Sequence, residues 1–187
     1  MKNPPFSRIY RMKGLSVQSP SPAGTQGERM LSEEQFTSLA KTHMDMIFRL
    51  AFGYLKSRAD ADDVTQTVLL RLYKTDKAFK SDAHVKHWLL RVTVNECKKL
   101  WRSPWRRTED FDAYAETLTF DEPRYAGLFE AVMALDAKCR AAVVLHYYEG
   151  YSIAEIAVLL GVPPGTVGTR LARAREKLRQ YLLSDGG

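Results

Sequence analysis

Apolar residues recur at steps of three and four from Phe36 onward. Phe36, Leu39, Ala40, Ile47, Leu50, Ala51, Tyr54 and Leu55 form one stripe, the signature of an amphipathic helix. A second helix is expected from Asp60. Asp60 is read as its cap, with Asp63 three residues later in a variant of the capping box, and Val64, Val68, Leu69 and Leu72 form its apolar face. The polar stretch 75–83 breaks the period. A third helix, from about residue 84 to 101, carries Trp88, Leu89, Val92, Cys97 and Leu100 as candidate core. Four more helices are expected toward the C-terminus. The first spans 125–134. The second is capped by Asp136, carries Cys139, Val143, Val144 and Tyr147, and stops at Gly150. The third, Ile153 to Leu160, is opened by a Ser152–Glu155 capping box and closed by Gly161. The last runs from Pro163 or Pro164 to about residue 183. No strand alternation stands out, so the predicted class is all-α: a three-helix domain and a four-helix domain.

Charge marks the boundary between them. From Lys98 to Arg107 there are five basic residues and no acid; from Glu109 to Glu122 there are six acids and no base. Pro104 and Pro123 bracket this block, which reads as a solvated acidic linker over 104–124. The predicted organisation is then an arm over 1–30, a first domain over 31–103, the linker, and a second domain over 125–187. The arm holds four of the eight prolines and is basic, through Lys2, Arg8, Arg11, Lys13 and Arg29 against Glu28. It reads as disordered: a leader, a sequence upstream of a true start at Met30, or an arm that touches DNA.

The 187 residues carry a formal net charge of +6, which favours an anionic partner, nucleic acid or membrane surface. No apolar run approaches the roughly 20 residues that span a bilayer, and no signal-type apolar stretch follows the basic start. Cys97 and Cys139 are far apart and outside any C-x-x-C pattern, consistent with reduced, buried thiols in a cytosol. His84 and His87 could share a helix face. They lack the further ligands that zinc needs, so no metal is expected. No phosphate-cradling loop or nucleophile constellation is present, so neither catalysis nor a cofactor is expected.

The strongest functional signal lies between Tyr151 and Lys177. A short capped helix, a turn at Gly161 and a longer basic helix make a helix-turn-helix pattern. Val167, Leu171, Ala174 and Leu178 form one face of the second helix, set to pack on Ile153, Ile156, Ala157 and Leu160. The opposite face presents Thr166, Thr169, Arg170, Arg173 and Lys177, hydroxyl and cationic groups suited to base edges and phosphates. Residues 170–179 hold five bases against Glu176. If all five neutralise phosphates, log K falls with log salt at a slope of about −4.5.

Residues 151–175, YSIAEIAVLLGVPPGTVGTRLARAR, resemble the C-terminal DNA-binding domain of the extracytoplasmic-function sigma factors, the smallest members of the sigma-70 family. Asp60-Ala61-Asp62-Asp63-Val64-Thr65-Gln66 is similar to that family's D-A-x-D-x-x-Q signature. Trp88-Leu89-Leu90-Arg91-Val92-Thr93-Val94-Asn95 resembles its W-L-x-x-I-A-x-N stretch. The likeness covers about residues 33–183, with three motifs in register.

The resemblance implies a region 2 domain, a region 4 domain with the helix-turn-helix, and a bacterial cytoplasmic protein. It implies that the first domain binds the β′ coiled coil of core RNA polymerase and opens the minus-10 element. The second binds the β flap and reads the minus-35 element, and the acidic linker runs through the RNA exit channel. An anti-sigma protein is an expected further partner. The resemblance places core-polymerase contacts at Asp62, Asp63, Gln66 and Arg71. It places minus-10 contacts at Lys77, Phe79 and Lys80 in the polar loop, and at Trp88, Asn95, Lys98, Lys99 and Arg102. Minus-35 contacts fall at Thr166, Thr169, Arg170, Arg173 and Lys177. Trp88 reads rather as core, and Asp60 as a cap. Gly168 stands where the family usually has lysine, Lys99 where it often has aspartate, and Pro164 and Ala172 are also atypical; these bear on the promoter sequence. Two other readings are a dimeric helix-turn-helix regulator that does not bind polymerase, and a sigma-like chain that titrates a regulator.

Overall fold

The computed structural model describes residues 31–102 and 123–184. The arm 1–30 and nearly all of the expected linker lie outside the described residues. The described residues form seven helices and no strand. They are α1 (Glu33–Leu55), α2 (Arg58–Tyr73), α3 (Asp82–Trp101), α4 (Pro123–Ala134), α5 (Ala137–Val143, prolonged by a π-helical turn Val144–Tyr148), α6 (Ile153–Leu160) and α7 (Pro164–Ser184). The expected all-α architecture is the one observed.

Local chemistry sets most of the boundaries. Ser32 and Gln35 form a reciprocal capping box at the start of α1. Lys56 ends α1 in the left-handed region at φ 55°, an uncommon state for a residue with a Cβ. That turn brings Ser57 into an extended conformation, and its hydroxyl accepts from the Asp60 amide at 3.2 Å. Ser57, not Asp60, therefore caps α2, and the helix starts two residues before the expected position. Asp60 instead contributes negative charge to the first turn, where the helix dipole favours it. Likewise Ser81 caps α3, accepting from the His84 amide, and α3 begins at Asp82. Helix α4 begins at Pro123, inside the stretch expected to be linker.

Asp136 caps α5 as expected, accepting from the amides of Lys138 and Cys139. The π turn widens the end of α5, with the Glu149 amide reaching back to the Val144 carbonyl. Tyr147 lies on that turn and is 46% exposed, contrary to its expected place on the apolar face.

Helix α1 packs on α2 and α3 and also on α5, so the buried side chains of both helical groups join in one cluster. Phe48, Leu50, Leu55, Leu72, Leu89 and Leu90 fill the first group; Phe129, Leu145, Ile156 and Leu160 fill the second. Gly53 makes the joint possible. A Cβ there would sit 3.3 Å from Val144 Cγ2, so a larger residue would hold α1 off α5. Arg140, 2% exposed, fastens the same place. Its Nε donates to the Gly53 carbonyl, and its Nη1 donates to the carbonyls of Met133 and Leu135 at 2.7 and 2.6 Å. A guanidinium thus caps the C-terminal ends of α1 and α4 together, where orphan carbonyls favour positive charge.

Candidate nucleic-acid and polymerase interface

The helix-turn-helix is built from short-range bonds. The Ser152 amide donates to Glu155 Oε2 at 2.8 Å, and the Glu155 amide donates back to Ser152 Oγ at 3.3 Å. The Ser152 hydroxyl, donating to Glu155 Oε2 at 2.6 Å, and then the Ser152 amide hold the Glu155 carboxyl below its ordinary pKa. Gly161 closes α6 in the left-handed region at φ 64°, where glycine carries no Cβ penalty. The α7 positions Val167, Leu171 and Ala174 are each at most 1% exposed, as are Ile156 and Leu160 on α6, with Ala157 at 5%. Ile153 was expected in that seam and is not in it. It is the first residue of α6 and stays 39% exposed, because the burial falls on the second turn.

On the far face of α7, Thr169, Arg173 and Lys177 are exposed, and Thr166 and Arg170 are half-buried. The Thr169 hydroxyl donates to the Gly165 carbonyl at 2.9 Å, leaving its oxygen lone pairs for an outside donor. Arg175 reaches the Tyr147 hydroxyl at 3.4 Å.

In the first helical group, Asp63 and Gln66 are exposed on α2 one turn apart. Asp62 is half-buried and ion-paired with Arg58 at 3.7 Å. Burial raises its pKa, with Arg58 opposing and Asp63 adding to the rise. Arg71 is bound to Glu96 Oε1 of α3 at 2.6 Å, so part of its donor set goes to holding α2 on α3. Leu70, beside it, is 50% exposed and lines a shallow hollow with Arg71, Lys74 and Trp88. Its exposure escapes a reading by period alone, which shows an apolar residue but not the face that stays open.

In the loop after α2, Lys77 and Lys80 are exposed. Phe79, expected to offer a stacking face, is instead docked edge-on against Trp88 and His84, both at 5.5 Å between ring centroids. Trp88 is half-buried by the same contact. His84 Nδ1 accepts the Lys80 amide and His87 faces Tyr151, so the two histidines look to different partners. No metal-binding group of three ligands occurs among the described residues. Asn95 and Lys99 are exposed on α3, as is Arg102 just beyond it. Lys98 is turned the other way: its ammonium donates to the Leu160 carbonyl at the end of α6, at 2.5 Å. The structure thus places the expected minus-10 residues on two sides of α3, with Lys98 on the side facing the second group.

Residues 39–107 match the family described as sigma-70 region 2, and residues 127–178 match sigma-70 region 4. The chain is 36% identical over 151 residues to the ECF RNA polymerase sigma factor SigM of Mycobacterium tuberculosis, covering 79% of this chain and 76% of that protein. The chain belongs to the extracytoplasmic-function sigma factors of the sigma-70 family. The sigma-E factor of Escherichia coli K12 is 27% identical over 164 residues, covering 78% and 85% of the two chains. Among solved structures, CnrH in complex with the cytosolic domain of CnrY superposes with a TM-score of 0.59 at 28% identity, over 82% of this chain and 91% of that one. RpoE of Bartonella quintana, solved with the anti-sigma factor NepR, superposes with a TM-score of 0.61 over 81% of this chain and 99% of that one. At 20% identity it shares the fold.

The protein is therefore an alternative sigma factor that directs transcription initiation. Sigma factors work by binding, not by catalysis. No helix of the described residues is long and apolar enough to cross a membrane.

Proposed function

We propose a division of labour between the two helical groups. Residues 31–103 bind core RNA polymerase and the minus-10 element, and residues 125–187 read the minus-35 element. The observation that carries this reading is the capped helix-turn-helix whose exposed α7 face bears Thr169, Arg173 and Lys177, beside a first group that leaves Asp63 and Gln66 open on α2. Exposed carboxylate and amide groups on one helical face suit a basic surface of the polymerase, and the α7 face suits the major groove. Arg71 and Asp62 support the polymerase surface by fixing its shape, and Phe79 supports the minus-10 loop by anchoring it on Trp88. The protein acts in the bacterial cytoplasm, where its polymerase is. CnrH, its structural relative, is seen with CnrY; we infer that this sigma factor is likewise held by an anti-sigma protein.

Charge reversal at Asp63 tests the assignment. Native mass spectrometry of the purified chain with bacterial core polymerase should give a one-to-one complex that Asp63→Arg abolishes. The variant's minus-35 DNA affinity should stay unchanged. Equal loss of both would make Asp63 structural and defeat the assignment.

A further inference from the structure

A cleft of about 360 Å³ opens between the end of α3 and the turn joining α6 to α7. Three elements bring cations to it: Lys98 and Arg102 from α3 and its cap, Lys138 from the first turn of α5, and Arg170 from α7. No acid among the described residues lines it, and no described carboxylate forms an ion pair with Lys98, Arg102, Lys138 or Arg170. Asp136, near Lys138 in sequence, is occupied by the amides at the start of α5. Burial, then the charges of Arg102 and Arg170, lower the pKa of Lys98. One N–H of the Lys98 ammonium is satisfied by the Leu160 carbonyl, and two remain for a ligand. The rim carries Trp101, 47% exposed, and the floor includes the buried ring of Tyr54.

We propose that this cleft binds a nucleoside diphosphate, with the phosphates among Lys98, Arg102, Lys138 and Arg170 and the base against Trp101. Cations converging from three elements, with no ion-pair partner among the described residues, are the chemistry that recognises a multiply charged phosphate. A flat aromatic side chain at the rim offers a stacking surface for a base. The volume decides the size of the guest: it sits near the lower end of the roughly 300–1,000 Å³ of small-molecule sites, too small for a duplex. The cleft exists only where the two helical groups meet, so a bound nucleotide holds them together. Lys98, Arg102 and Arg170 are also proposed promoter contacts, so the nucleotide and the promoter compete. That consequence rests on the division of labour above; the binding itself does not.

The test is calorimetric titration of the full-length chain with ADP, and separately with inorganic pyrophosphate, at constant ionic strength. The expected result is one saturable ADP site per chain. Arg102→Glu and Lys138→Glu, both exposed positions, should each weaken it about tenfold or more. Trp101→Ala should weaken ADP while leaving pyrophosphate unchanged. Quenching of tryptophan fluorescence by ADP in the unaltered chain gives a second readout that needs no variant. Absence of saturable binding, or ADP binding that survives both charge reversals, would overturn the site. Pyrophosphate binding as tightly as ADP, with Trp101→Ala silent, would overturn the nucleoside class. Complex formation with core polymerase, measured alongside, reports on the sigma assignment independently.

Discussion

His43 lies on the inner side of α1, 8% exposed. Burial lowers its pKa, and the Lys86 ammonium adds to the effect; Asp82 and Glu149 work the other way. A group whose folded pKa is depressed contributes stability above its unfolded value and loses it as pH falls through the folded one. Stability to urea should therefore decline as pH drops below about 6.5, the ordinary histidine value. His43→Leu should flatten that decline, and a variant with the same acid profile as the parent would rule His43 out as its source. Gly168 offers a second residue-scale expectation. A Cβ there meets nothing within 4 Å, and the residue sits inside α7. Gly168→Ala should stabilise the protein by about 0.5–1 kcal/mol in chemical denaturation, since glycine costs that much in a helix interior. The atypical glycine is thus tolerated without any packing need that the structure shows.

At the scale of elements, α6 is only eight residues long, below the length at which a helix is stable in water by itself. Its ends supply what its length does not: the Ser152–Glu155 box at one end, Gly161 at the other, and α7 along its second turn. Ser152→Ala removes one half of the box and should cost about 0.5–2 kcal/mol. Since α6 supports α7, the same variant should weaken the proposed minus-35 binding in a fluorescence-anisotropy titration. Unchanged affinity with lowered stability would mean that α7 holds its position without α6. Position along the chain also explains the two burial errors of pattern reading in this half. Ile153 has the right period but falls on the turn of α6 that stays open. Tyr147 has the right period for a regular α-helix, and the π turn rotates it out of register.

For the whole molecule, the joint between the helical groups is its least local feature. Arg140 and Gly53 are 87 residues apart in sequence and hydrogen-bonded in space. Glu149, whose side chain is 6% exposed, receives Arg49 at 3.1 Å and Lys86 at 3.0 Å, both from the first group. Lys86 also lies 5.4 Å from the centre of the Tyr151 ring. If the groups engage separate promoter elements, as proposed above, they must part on the promoter. Gly53→Leu should part them in the free chain by forcing α1 away from Val144 and Arg140. Small-angle scattering should then show a larger radius of gyration, with helical circular dichroism unchanged. An unchanged radius would show that the joint repacks around the new side chain.

The helices, the caps at Asp136, Ser152 and Gly161, and the helix-turn-helix were legible in the amino-acid sequence because they depend on neighbours within about four residues. The period of apolar residues located α1 to α7, and Ser152, Asp136 and Gly161 announced the ends they make. The same short reach misplaced the cap of α2, since Ser57 acts only after Lys56 adopts a left-handed turn. The candidate site divides along the same line. Asp63, Gln66, Arg173 and Lys177 are exposed as their patterns imply. Arg71 held by Glu96, Phe79 docked on Trp88, and Lys98 turned to Leu160 were decided by the tertiary structure alone. Each of these side chains is long or aromatic enough to reach a partner from another element. Which partner it meets depends on how helices distant in sequence come together, and that is settled by the packing of the shared core.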